Sequence, residues 1–380
     1  MSHLHIFILI DALGWELIRE RPFLPDFLPC QQPVPTLLGF SSGIIPAILT
    51  GRTPAENGMW NLVYFDPERS PFRAMRKLGS LPGLLDNRVG RRLLTEIGRR
   101  ILDIGSNFDV SVPPQTLPWF NWAEGRNIYA RGGIPGQNSI FDQLHDHGIG
   151  HKIYSYKDPL TDAEIIEHAA ADIASGPETV YFLYLSELDM FLHTHRGSPD
   201  RIATKLAWYE AALTRVFRAA QQRDPRASLQ VFSDHGMTPV TRHCDVAAIV
   251  AACGFQTPRD YLVVYDSTMA RFWFFSDEAR DQITAQLRQL QYARLLTDGE
   301  LRDFGVFFPD HRYGELVLLL DPGCIVAESG FNGNGWKPAG MHGYHPDDPD
   351  SYAVFLSSEA PAAPLASVRD VFGHLQEALR

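Results

Sequence analysis

Thr179-Val-Tyr-Phe-Leu-Tyr-Leu-Ser-Glu-Leu-Asp189 is an apolar run that closes on a carboxylate. A short run of this kind, rich in Val, Tyr and Phe, reads as a strand covered on both faces, as strands of parallel sheets are. Outward from it, the same device occurs twice more. His5 to Ile10 is apolar and stops at Asp11, and Ser228-Leu-Gln-Val-Phe-Ser-Asp-His-Gly236 ends in Asp234-His235. His193 follows Asp189 by four residues. Ligands of open parallel sheets bind beyond the carboxyl ends of the strands, so these acids stand where chemistry is expected. One acidic strand end is ordinary. Three of them, two with histidines close by, exceed what packing accounts for.

Between these runs lie helical patterns at 12–20, 138–148, 161–175 and 206–222, with further strands at 152–156 and 352–356 and a terminal helix at 368–379. The alternation predicts an α/β fold, a doubly wound, mostly parallel sheet with helices on both faces, spanning residues 1–380 as one catalytic domain. Two stretches interrupt it. Residues 67–135 alternate basic residues with leucine and end in Pro118-Trp-Phe-Asn-Trp122, which reads as a helical cap insertion. Its arginines are a solvated helix face by default, or a rim that steers an anion. Residues 240–339 read as a second insertion, with helices at 247–253 and 281–290 and strands at 262–265, 270–275 and 315–320. The glycine-rich loop 330–336 lacks the spacing of a phosphate loop. Trp60, Tyr64, Trp119, Phe120 and Trp122 could stack on a ring, but core packing is the commoner use of such residues.

The chain has 380 residues and a formal net charge of −11, with 45% hydrophobic and 21% charged residues. The acidic balance disfavours nucleic acid and anionic lipid. The expected partner is a small phosphorylated substrate, with no nucleic acid and no membrane, and bound metal ions are the simplest source of local positive charge. The opening apolar run is too short for a secretory segment and carries no basic leader. Cys30, Cys244, Cys253 and Cys324 are scattered without a CxxC pair, which fits a reducing cytoplasm.

In Pro35-Thr-Leu-Leu-Gly-Phe-Ser-Ser-Gly-Ile-Ile-Pro-Ala-Ile-Leu-Thr-Gly-Arg-Thr-Pro54, Ile44, Ile45, Ile48 and Leu49 fall at helical spacing, with Pro46 expected in the first turn and Gly51 as the stop. Ser41 and Ser42 then sit at a helix N-terminus, where backbone N–H groups favour an anion beside a hydroxyl. Ser41 is the candidate nucleophile, and an ordinary Ser cap is the alternative.

The candidate metal ligands are Asp11, Asp189, His193, Asp234, His235 and His342. Carboxylate with imidazole suits zinc and accepts manganese. Six such groups and one hydroxyl can hold two divalent ions, the arrangement that clamps both oxygens of an in-line phosphoryl displacement.

In this order the pieces resemble the alkaline phosphatase superfamily, and within it the nucleotide pyrophosphatase/phosphodiesterase branch. They are the strand ending at Asp11, Ser41 ahead of Thr50-Gly-Arg-Thr-Pro54, Glu187-Leu-Asp189 with His193, Ser233-Asp-His-Gly-Met237, and His342-Gly-Tyr344. The resemblance implies one metal at Asp11, Asp234 and His235, with Ser41 beside it. It implies a second at Asp189, His193 and His342, and a phosphate contact from Asn61. The expected activity is hydrolysis of a phosphodiester or pyrophosphate bond through a covalent Ser41 intermediate. The alternatives are a phosphomonoesterase or phosphomutase with the same centre, and a non-catalytic phospho-ligand binder on this fold. Ser41-Ser42-Gly43 departs from the Thr-Phe-Pro usual in the phosphodiesterases, which leaves the leaving group open. Sulfatase chemistry is demoted, because Gly43 and Ile45 stand where that class places Pro and Arg. His195 competes with His193, although the spacing from Asp189 favours His193, and His345 reads as a loop histidine.

Overall fold

Four strands of the six-stranded main sheet run parallel in the order Ser228–Phe232, His5–Ile10, Val180–Leu185, His151–Tyr154, the last of them at one edge. Ala353–Ser357 lies antiparallel beside Ser228–Phe232, and Cys30–Val34 is antiparallel to it in turn at the edge. The computed structural model describes residues 3–79, 81–102, 104–105, 108–123, 127–155, 159–331 and 336–380. Residue 156 of the expected strand 152–156 and residues 332–335 of the glycine-rich loop lie outside the described residues.

The sheet belongs to a first compact unit made of Met1–Gly58, Asn127–Pro239 and Pro346–Arg380. Every residue of Val180–Leu185 is buried, because both faces of the strand are covered. Ile6, Ile8, Ile10, Leu183 and Leu185 pack with helices Asp162–Ser175 and Pro199–Arg223 in one core. On the alternate face Phe182 meets Phe141 of helix Ile140–Asp146 edge-on at 5.2 Å. Apolar side chains on both faces, rather than alternation, are what a central parallel strand requires.

Register places the strand ends. Leu9 pairs with Phe232 and Ile10 with Leu185, so Asp11 and Asp234, each two residues further on, leave the sheet side by side. The loops that follow approach to backbone contact. A Cβ on Gly14 would stand 2.8 Å from Gly236 Cα, and one on Gly236 would stand 2.1 Å from Asp350 O, so only glycine fits.

Three sequence expectations are corrected. The strand that opens at Val180 stops at Leu185, and Asp189 lies in helix Glu187–His195 rather than at a strand end. Pro46 sits in the second turn of helix Ser41–Thr50, not the first. The terminal segment is one α-helical turn, Val371–Leu375, between 3₁₀ turns, with Gly373 at its centre.

The second unit comprises Met59–Arg126 and Val240–His345 and so holds most of both expected insertions, while 127–135 belong to the first unit. Its antiparallel sheet has the order Tyr261–Asp266, Met269–Phe274, Leu316–Leu320, Ala293–Leu296. Helices Val246–Ala251 and Asp277–Leu287 share one core with Phe272, Phe274, Leu318 and Leu320. Leu262, Val264 and Trp273 pack with Phe72, Leu94, Phe108, Phe120 and Trp122 in another. Packing therefore accounts for Phe120 and Trp122. Trp60 is buried edge-on to Tyr313 at 5.9 Å.

Candidate functional site

Helix Ser41–Thr50 begins after Phe40, whose extended backbone forms the cap without a side-chain bond. Ser41 is thus the first helical residue. Its hydroxyl does not cap the helix but lies 3.0 Å from His235 Nε2, so the ordinary-cap reading is excluded. His235 Nδ1 is 2.8 Å from Gly236 O. A carbonyl only accepts, so Nδ1 donates to it, and in the neutral ring Nε2 is then the acceptor for the Ser41 hydroxyl.

Two carboxylates face that same nitrogen. Asp234 Oδ2 is 3.2 Å and Asp11 Oδ1 3.5 Å from His235 Nε2. Asp11, Asp234 and His235 are 4%, 0% and 1% exposed, and one ligand atom from each lies within 4.8 Å of the others. Asp234 Oδ1 accepts from Ala12 N at 3.3 Å and from His235 N at 3.1 Å. Ala12 reaches it through a left-handed backbone, φ 61°. Thr36 Oγ1 donates to Asp234 O at 2.6 Å, and the Tyr184 phenol donates to Asp11 Oδ2. Asp11 Oδ1 and Asp234 Oδ2 are buried without a hydrogen-bond donor.

Burial, then the charge of Asp234, then that of Asp189, hold the Asp11 carboxyl well above the ordinary carboxylate range, and the Tyr184 phenol pulls the other way. Burial and the Asp11 charge hold the Tyr184 phenol well above its own usual value. Among the described residues no lysine or arginine pairs with Asp11 or Asp234. Buried acids with bare oxygens, gathered around an imidazole nitrogen, form an arrangement that a cation can compensate.

Helix Glu187–His195 brings two more candidates. Asp189 and His193 stand four residues apart on one face, with His193 Nε2 3.2 Å from Asp189 Oδ2 and His193 buried. The start of this helix is held from another element. Asp162 accepts from Ser186 N at 3.0 Å, Glu187 N at 3.2 Å and the Tyr209 hydroxyl. His195 turns away, its ring 4.7 Å from Phe191 and its Nδ1 3.4 Å from Arg201 Nη1.

Asn61 and His342 belong to the second unit. Asn61 is buried, with Nδ2 3.8 Å from Met269 Sδ and Oδ1 without a donor. His342 is buried directly after strand Gly340–Met341. The His345 ring packs edge-on against Phe304 at 5.1 Å.

Sequence reasoning missed Tyr184, because a tyrosine inside an apolar run reads as core. It also missed Asp162, because an acid in the first turn of a helix is routine.

A family model described as type I phosphodiesterase/nucleotide pyrophosphatase matches residues 5–345. No curated relative matches the sequence. Among solved structures, the chain is similar to murine ectonucleotide pyrophosphatase/phosphodiesterase 5, an inactive variant in complex with AMP. The TM-score is 0.71 at 14% identity, covering 100% of this chain and 95% of that one. It is also similar to the human protein of the same name, with TM-score 0.68 at 13% identity, covering 99% and 95%. At these identities the likeness establishes a shared alkaline-phosphatase-type fold.

Proposed function

The chain belongs to the type I phosphodiesterase/nucleotide pyrophosphatase family, a family of hydrolases, and on that premise we propose that it cleaves a phosphodiester or pyrophosphate bond through a covalent Ser41 intermediate at a two-metal centre. The observation that carries this is the 3.0 Å approach of Ser41 Oγ to His235 Nε2 beside two buried, undercompensated acids. The residues fit divalent ions. Asp11, Asp234 and His235 would hold one, and Asp189 and His193 a second, to which motif order assigns His342. Oxygen with imidazole nitrogen favours zinc, with manganese acceptable. When bound, such ions lower the pKa of a neighbouring hydroxyl and stabilise charge on the attacking and leaving oxygens.

The chain's own residues do the rest. The first turn of helix Ser41–Thr50 directs Ser41 Oγ and backbone N–H groups toward an incoming phosphoryl group. Ser41 Oγ forms a bond to phosphorus as the bond to the leaving oxygen breaks, and its proton passes out through the acceptors around it. Water then attacks the phosphoseryl or nucleotidyl-seryl ester from the opposite side and restores Ser41, with net retention at phosphorus. Asn61 is proposed to donate its amide to a phosphoryl oxygen.

The AMP bound to the murine relative supports a nucleotide as the phosphorylated substrate here. The free cysteines support a cytoplasmic protein.

The test is Ser41→Ala, compared with wild type at equal metal content. Turnover of bis-nitrophenyl phosphate should fall by roughly 10⁴–10⁶-fold, as for loss of a nucleophile. Normal turnover by the metal-loaded variant would sink the scheme. Faster cleavage of mononitrophenyl phosphate than of the diester would move the assignment to a monoesterase, and silence on both with full metal content would favour a binder.

A further inference from the structure

The acidic total of the chain conceals one strongly basic stretch. Residues 73–100 carry eight lysines and arginines against two acids, a local net of +6 in a chain of −11. Both acids are already taken, Asp86 by Arg91 at 2.8 Å and Glu96 by Arg100 at 2.8 Å. Arg88 and Arg92 are exposed and have no acidic partner among the described residues.

The same stretch also carries most of the exposed large apolar side chains among the described residues. Of the eleven exposed large apolar side chains among the described residues, six come from 78–101: Leu78, Leu81, Leu84, Val89, Leu93 and Ile101. Val89 is 78% and Leu84 74% exposed. Soluble surfaces rarely gather so many such side chains in one place without an occupant.

This face cannot turn inward to hide them. Helix Arg88–Arg100 buries Gly90, Leu94, Thr95 and Gly98. Both glycines are close approaches: a Cβ on Gly98 would stand 2.3 Å from the Phe108 ring, and one on Gly90 would stand 2.4 Å from Leu85 O in the turn Leu81–Leu85. The inner face is therefore locked. At 100° per residue, Arg88, Arg92 and Arg99 form one outward stripe, and Val89 and Leu93 form the stripe beside it.

We propose that residues 73–79 and 81–101 dock on an anionic lipid bilayer, with the Leu84, Val89 and Leu93 side chains entering the headgroup–acyl boundary and the arginines on lipid phosphates. A basic helix with an adjoining apolar stripe lies in such an interface, and each arginine near an anionic surface adds to the attraction. Nucleic acid would use the arginines but gives the leucines nothing to enter. A second copy meeting this face with its own would set +6 against +6. The net charge of −11 does not decide the matter, because attraction over a Debye length of about 8 Å is set by the local surface and not by the whole chain.

The test is flotation of the full chain with vesicles of phosphatidylcholine alone and of phosphatidylcholine with phosphatidylglycerol. Wild type should float with the anionic vesicles only, and less at high salt. Arg88→Ala with Arg92→Ala should bind roughly thirtyfold more weakly. Val89→Ser with Leu93→Ser should lose about tenfold or more. Unchanged melting temperatures would show that both variants fold. The proposal is overturned if wild type does not float at low salt, or if neither pair of substitutions weakens binding. It is also overturned by tighter retention on an oligonucleotide that is indifferent to the Val89 and Leu93 substitutions. A dimer that the arginine substitutions dissolve, without flotation, would assign the face to a second copy instead.

Discussion

Two carboxylate sites, one in each unit, are compensated in opposite ways. In the second unit Asp266 meets a fully buried Arg271 in a fork, Nε to Oδ2 at 2.6 Å and Nη2 to Oδ1 at 3.1 Å. Arg271 Nη1 also donates to Val63 O at 2.9 Å and Tyr313 O at 3.3 Å. In the first unit Asp11 and Asp234 stand side by side with one bare oxygen each, and both face His235 Nε2. The first arrangement is closed within the chain. The second, on the function proposed above, is completed by a cation from outside, which is how a stabilising pair differs in kind from a binding site.

The largest expected effects test this contrast by sign. Asp234→Asn should lower kcat/KM by more than the roughly 100-fold that loss of a supporting contact costs. The same variant should melt higher than wild type when both are metal-free, because it relieves one of two adjacent buried charges. Arg271→Met should do the reverse, leaving the metal centre intact while costing about 3–5 kcal/mol of stability by stranding Asp266. Adding Asp266→Leu should recover much of that loss. Thermal unfolding with and without chelator, read beside the activity assay, decides it. A metal-free Asp234→Asn protein less stable than wild type would erase the distinction.

Acidity sharpens the contrast further. Burial and the neighbouring charges raise the folded-state pKa of Asp11. A group raised in this way contributes stability that is full below its unfolded value and is lost as pH rises through its folded value. Metal-free protein should therefore lose stability as pH rises above the ordinary carboxylate range toward the raised folded-state value of Asp11, by up to about 1.4 kcal/mol per unit for one group. Metal-loaded protein should not, since the ion replaces the proton, and the gap between the two melting temperatures should widen with pH. Asp11→Asn should flatten the metal-free curve, and a gap independent of pH would remove Asp11 from the account.

A smaller effect is expected at Tyr184, whose phenol donates to Asp11 Oδ2. Tyr184→Phe keeps the ring in the core and removes one supporting hydrogen bond, so metal affinity should fall by about tenfold with little change in melting temperature. Competition with a metal-sensitive dye measures this. An unchanged affinity would make the contact incidental.

What could be read from the sequence follows the range of the interactions. Apolar runs ending in Asp11 and Asp234-His235 are local patterns, and parallel register then sets the acids side by side, so the sheet and half of the candidate cage were legible. The end of the third run was not. Asp189 is helical because Asp162, far back in the chain, takes the N–H groups of Ser186 and Glu187. The joining of 59–126 with 240–345 was equally hidden, since it rests on Arg271 with Val63 and on Trp273 against Phe120, contacts between residues far apart in the chain. In the cap segment Gly79, Pro82 and Gly83 break the expected helix into short turns before Arg88. The basic residues of 73–100 could be read from the sequence, but their meaning depends on which of the side chains in that stretch face out.

The two histidines of helix Glu187–His195 give the finest division between a cage residue and a surface one. Four residues from Asp189 to His193 return to the same face, whereas two more residues carry His195 some 200° further round. His193 is buried against the Asp189 carboxylate, and His195 rests between Phe191 and Arg201. His195→Gln should therefore change kcat/KM and melting temperature by no more than about twofold and 0.5 kcal/mol, as for an ordinary surface exchange. His193→Gln should cost far more activity and should weaken metal retention on gel filtration. A His195 variant that loses metal while His193→Gln keeps it would reverse the assignment, and with it the inference that helical phase selects the ligand.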